Sequence, residues 1–169
     1  MSVAADYSEL DGGLVRMLNR LRQEGTATKD LDADALLRED ANAVLLGLLY
    51  DQRVLAETAF IGPLKLKQRL GHLDMKRIAE HDPDDFKALF AESPAVHRFT
   101  NTMADRTQAV ARILADEHRG DAATLWNDGA DLATVEKRIR TLPGFGPLKA
   151  KKLKYCLYYF QNTDLGTAE

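Results

Sequence analysis

Four lysines, at 149, 151, 152 and 154, follow directly on two glycines and two prolines packed between Pro143 and Pro147 in the stretch TLPGFGPLKAKKLKY. Glycine lets a backbone take angles that a Cβ forbids and lets a ligand approach the main chain closely. Proline is well placed as the first residue of a helix, because its missing N–H has no intrahelical use there. The amides of that first turn then point outward with the positive end of the helix dipole behind them, which suits a phosphate. Lysines along the first turns add charge for neighbouring phosphates. The chemistry expected of Gly144, Phe145, Gly146, Lys149, Lys151 and Lys152 is therefore a grip on a nucleic-acid backbone, one that positions the strand without reading bases.

Charge is distributed accordingly. Between 135 and 155 seven basic side chains face one acid, Glu136, so this segment carries +6. The chain as a whole is at −3, which leaves −9 for the remainder. A local footprint of this kind matters more for nucleic acid than the overall balance does. A solvated helix face is the plainer reading of a lysine cluster; the glycine turn is what favours phosphate.

Other chemistries find little in the chain. One cysteine, Cys156, rules out a disulfide framework, a four-thiolate zinc site and a cysteine-ligated iron–sulfur cluster. His72, His81, His97 and His118 are too scattered for a metal-ligand pair at helical spacing, so no metal is expected. No GxxxxGK[ST] phosphate loop occurs. The N-terminus has neither the basic segment nor the apolar run of a secretory signal, and no stretch is apolar enough for a bilayer, so a cytoplasmic protein is expected.

The elements that must position the turn read as helices throughout. Leu10, Leu14, Met17, Leu18 and Leu21 recur at helical spacing over 7–24, and ANAVLLGLLYDQ is apolar nearly all round, as a central buried helix is. Further helices are expected at 53–60, 63–70 and 75–81. One follows Asp82 as N-cap with Pro83 at its first position, and others cover 101–118, 131–141 and 147–161. No strand is expected. At 169 residues the chain fits one all-α domain, with an N-terminal helix and connector over 1–30, a helical body over 31–162 and a tail over 163–169.

The constrained positions Ile139, Leu142, Gly144, Gly146, Ala150 and Leu153 match the helix-hairpin-helix motif, here over 131–161. With LLGLLYDQ (45–52), GPLKLKQRLGHLD (62–74), FKALFAESPAVHRF (86–99) and DAATLW (121–126), the chain resembles short bacterial base excision repair proteins of the HhH-GPD type, in the superfamily of the endonuclease III, MutY and AlkA DNA glycosylases. The resemblance implies an all-α glycosylase-like core without the usual C-terminal extension, double-stranded DNA as partner, and a damaged base swung out of the stack. It also implies a monovalent cation on the carbonyls near Leu142–Gly146. Gln52 matches the glutamine that plugs the duplex in such enzymes; on local chemistry it would equally serve as a polar cap ending a buried helix. Arg53 beside it would touch a phosphate or be solvated. Bifunctional relatives carry a nucleophilic lysine where this chain has Leu148. Lys149 lies one step later, rotated by about 100°, and is expected to contact phosphate; as an amine nucleophile it would need desolvation. The superfamily's catalytic aspartate is best matched by Asp164, 16 residues beyond Leu148, although a terminal tail is the plainer reading of that segment. The function implied is base release without lysine-driven strand cleavage, with a non-catalytic DNA binder or sensor, or a helical interaction protein, as alternatives.

Overall fold

The computed structural model describes Leu10 and residues 12–166. Among these the chain is all-helical: α1 (Gly13–Glu24), α2 (Leu31–Glu39), α3 (Ala41–Tyr50), α4 (Ala56–Leu70), α5 (Met75–Glu80), α6 (Pro83–Ala91), α7 (Thr100–Glu117), a 3-10 turn at Ala122–Leu125, α8 (Leu132–Arg140) and α9 (Pro147–Gln161). The expected N-terminal helix at 7–24 begins, within the described residues, at Gly13; its positions 7–9 and 11 lie outside them.

Aspartates start most of these helices. Asp30, Asp40, Asp74, Asp82 and Asp131 each accept a hydrogen bond from one or two first-turn amides of α2, α3, α5, α6 and α8, satisfying donors that a helix start leaves open. Asp40 does so while also ending α2, so two helices meet at one residue.

Helix α3 is the central element: every residue from Ala43 to Tyr50 is buried. It packs on α2, α4, α7 and α9. The contact with α4 is made by two aromatic rings set against two glycines. A Cβ on Gly47 would lie 2.5 Å from the Phe60 ring, and one on Gly62 would lie 2.7 Å from the Tyr50 ring. This corrects the expected break between 53–60 and 63–70. The helix runs unbroken through Pro63, whose missing N–H removes one helical bond while packing on α3 holds the rest. Gly62-Pro63 is a packing surface and not a stop. The Tyr50 hydroxyl shares a 2.8 Å hydrogen bond with Thr107 Oγ1, which itself donates to the Met103 carbonyl of α7 at 2.7 Å. Helix α7 is thereby fixed to the end of α3. Arg20 of α1 donates to Glu57 Oε1 at 2.8 Å and ties the first helix to α4. The 3-10 turn at 122–125, unanticipated within DAATLW, is anchored by Asn42, whose side chain bonds the Gly120 carbonyl and the Ala122 amide.

Candidate nucleic-acid interface

Helices α8 and α9 are joined by residues 141–146. The turn closes through Leu142 N–H to the Ile139 carbonyl at 3.0 Å and Phe145 N–H to the Leu142 carbonyl at 3.1 Å. The two glycines in it differ in kind. Gly144 has φ +84°, and a Cβ there would sit 2.6 Å from Leu49 Cδ1 and 3.0 Å from Arg106 Cδ. Fold and conformation both demand glycine at that point. Gly146 has an ordinary φ of −106°, and a Cβ there would meet nothing within 4 Å. Nothing in the folded chain requires glycine at 146; its bareness leaves open ground in front of the α9 N-terminus. Gly146 makes no side-chain cap and Pro147 has no N–H, so the next first-turn amides have no side-chain cap from Gly146 and the positive end of the helix dipole is presented there.

The predicted side chains are distributed unevenly around this turn. Phe145 is buried in the core. Lys149 is also buried, at 8% exposure. Its ammonium donates to the Leu49 carbonyl at 2.7 Å, to Gln52 Oε1 at 3.1 Å and to the Gly144 carbonyl at 3.1 Å. An ammonium has three donors, and these acceptors use them all. The expected phosphate contact from Lys149 is thus replaced by an internal strut between the turn and the end of α3. Burial, and then the charge of Arg106, hold its pKa down to about 8, against the pull of Asp51. Within Leu142–Gly146, where the resemblance implies a monovalent cation, the Gly144 carbonyl is bonded to this ammonium.

Gln52 is half-buried, and its side-chain oxygen is engaged within the protein. Its Oε1 accepts from Lys149 and, at 3.2 Å, from Arg106 Nη1. Lys152 is likewise engaged: its ammonium lies 3.1 Å from Asp51 Oδ2, both side chains being largely covered. Lys151 and Arg53 are exposed. Arg53 takes φ +55°, and its carbonyl accepts from Arg98 Nη1 at 3.4 Å. Neutral His97 helps to set this loop: Nδ1 accepts from Phe99 N–H at 3.0 Å, so Nε2 carries the proton it donates to the Tyr50 carbonyl, also at 3.0 Å. Burial keeps the His97 pKa below its ordinary value.

Asp51, Gln52, Arg53, Gly144, Gly146, Leu148, Lys149 and Lys152 line one open pocket of about 470 Å³. Asp164 is not among them. It is exposed beyond the far end of α9, and 15 helical residues separate that end from the turn, roughly 22 Å of axial rise. Its carboxylate accepts the Gly166 amide at 2.9 Å. Arg106 was not foreseen. It stands in mid-α7, outside any motif, and the only signal for it is a cation flanking the apolar stripe of Met103, Thr107 and Val110.

No protein-family model, no curated protein and no solved structure matches the chain. No helix among the described residues is long and apolar enough to cross a membrane.

Proposed function

We propose that this protein is a sequence-independent binder of double-stranded DNA acting in base excision repair, and that a helix-hairpin-helix at 131–161 grips the phosphate backbone. The contrast between the two glycines carries this reading. Gly144 is explained by packing, whereas Gly146 has room for a Cβ and leaves its backbone open to a close approach from outside. Exposed Arg53 lines the pocket with Gly146, exposed Lys151 stands early in α9, and the first-turn amides of α9 supply directed donors for phosphate oxygens. The resemblance to the HhH-GPD proteins supports the same assignment.

Base release is the second reading, and Asp51 is the residue that favours it. It is the one carboxylate lining the pocket beside the turn, where Asp164 cannot reach. Bound DNA would draw Lys152 from Asp51 towards a phosphate. The freed carboxylate would then face the sugar cation that develops as the N-glycosidic bond breaks. Water adds at C1′, its proton is taken up by the carboxylate or solvent, and the base departs with the bonding electron pair and is protonated.

Both readings are tested by incubating the protein with labelled duplexes carrying single lesions (uracil, hypoxanthine, oxidised guanine, oxidised pyrimidine or an alkylated purine) and resolving them with and without hot alkali. Breaks that need alkali and vanish in Asp51→Asn establish a monofunctional glycosylase. Intact DNA together with tight, salt-sensitive binding establishes a binder that does not cut. Absence of duplex binding overturns both.

A further inference from the structure

The pocket beside the turn carries more positive charge than its surroundings answer. Lys149 and Arg106 both donate to the same neutral oxygen, Gln52 Oε1, and Lys149's other two acceptors are main-chain carbonyls. Neither cation has a carboxylate partner among the described residues. Arg53, on the pocket rim, also lacks a carboxylate partner there. The one pocket carboxylate, Asp51, is matched by Lys152. Two unanswered charges, Lys149 and Arg53, therefore remain on the pocket lining, with Arg106 behind Lys149 on the shared Gln52 oxygen, and like charges held together cost folding free energy unless an anion answers them.

Gln52 narrows the identity of that anion. With two cations on Oε1, the amide cannot be reversed without setting its N–H groups against both charges. The NH₂ end is therefore the one left to meet a ligand, and it has no protein acceptor among the described residues. The Gln52 NH₂ and Arg53 offer donors only, and Lys149 adds its charge from beneath, so the ligand must offer acceptors only. An internal phosphodiester carries one negative charge. A phosphomonoester carries close to two at neutral pH, with three acceptor oxygens. The second charge suits a pocket lined by two unanswered cations with a third behind them, and the concave shape suits a group that projects from the end of a strand.

We propose that this pocket seats the phosphomonoester at a DNA strand terminus, so that the protein prefers nicked or gapped duplex bearing a terminal phosphate. This rests on the DNA-binding reading and names the feature of DNA that the same site selects.

The test measures fluorescence anisotropy with four labelled duplexes: intact, and with a one-nucleotide gap carrying a 5′-phosphate, a 3′-phosphate or hydroxyls only. A phosphate-bearing gap is expected to bind about tenfold more tightly than the hydroxyl gap, and the 5′ and 3′ duplexes tell the two sources apart. Millimolar inorganic phosphate should compete away that preference before it competes away duplex binding. Gln52→Glu would set a carboxylate on Arg106 and Lys149; it is expected to raise the Tm, which shows that it folds, and to bring the ratio between phosphate and hydroxyl gaps close to one. Equal affinity for phosphate and hydroxyl gaps in the unmodified protein, with salt-sensitive binding retained, overturns the pocket and leaves the backbone grip standing. A preference that survives both Gln52→Glu and Arg53→Ala also overturns it. Failure to bind any duplex overturns the grip and the pocket together.

Discussion

Lys149 of α9 and Arg106 of α7 converge on a single atom, Oε1 of Gln52, at 3.1 and 3.2 Å. Three parts of the chain that share no local sequence are joined there: the α8–α9 turn, the residues that follow α3, and the middle of α7. Arg106 contributes twice, since its side chain also lies where a Cβ on Gly144 would go.

The two turn glycines are expected to separate folding from binding. Gly144→Ala forces a left-handed φ on a residue with a Cβ and drives that Cβ into Leu49 and Arg106. A loss of about 2–4 kcal/mol is expected in thermal or denaturant unfolding. Gly146→Ala has an ordinary φ and open space, so its stability should change by less than about 1 kcal/mol. If Gly146→Ala keeps its Tm yet binds duplex severalfold more weakly, the backbone at 146 is a contact surface; unchanged affinity would remove the main support for the grip.

Protonation of Lys149 links pH to stability and to binding with opposite signs. Its folded pKa, about 8, lies below the usual lysine value of 10.5. Between those two values the unfolded chain holds more protons, so this group's contribution makes stability rise as pH climbs from about 8 to 10.5, by up to about 3 kcal/mol. Duplex affinity should fall over the same rise, because an anion favours the ammonium. Lys149→Met should remove both trends; unfolding curves and anisotropy from pH 7 to 10 check them.

The lysines of α9 should not behave alike. Exposed Lys151, mutated to alanine, should reduce the slope of log affinity against log salt by roughly 0.9 if it neutralises one phosphate, and Arg53→Ala should do likewise. Lys152→Ala leaves Asp51 largely covered and without its cation. It should cost about 2 kcal/mol of stability as well as affinity, a joint loss that a purely surface contact would not produce.

The α3–α4 contact predicts a stability effect remote from the pocket. Gly47→Ala or Gly62→Ala would push a methyl into the Phe60 or Tyr50 ring, costing about 1–3 kcal/mol each. Chemical denaturation of the two single variants measures it directly.

Much of the architecture was legible in the sequence because its signals are local. Asp82-Pro83 announces a helix start, and the apolar run of 43–50 announces a central helix. The glycine turn at 144–146 marks where two helices meet. Pro63 was misleading because a helix breaker acts only when nothing else holds the helix, and the packing of Gly62 on Tyr50 is a contact across 12 residues that no window displays. Helical spacing puts Lys149 on the same side of α9 as Leu153 and Cys156. What could not be read was its acceptor set, because Leu49 and Gln52 lie 100 and 97 residues away. Arg106 carries no motif at all, since its role exists only where α7 passes beneath the turn. Asp164 was chosen by counting along the chain, and a straight helix carried it away from the pocket.

The two rings lodged against two glycines have a consequence on the scale of descent. Positions 47 and 60 divide one fixed volume, and positions 62 and 50 divide another. In related chains a bulkier residue at 47 should arrive with a smaller one at 60, and likewise across 62 and 50, so these two pairs should drift together while their neighbours vary independently. Tyr50 has less latitude than Phe60, because its hydroxyl is also bonded to Thr107; a change at 62 would have to be answered at three places and not at two.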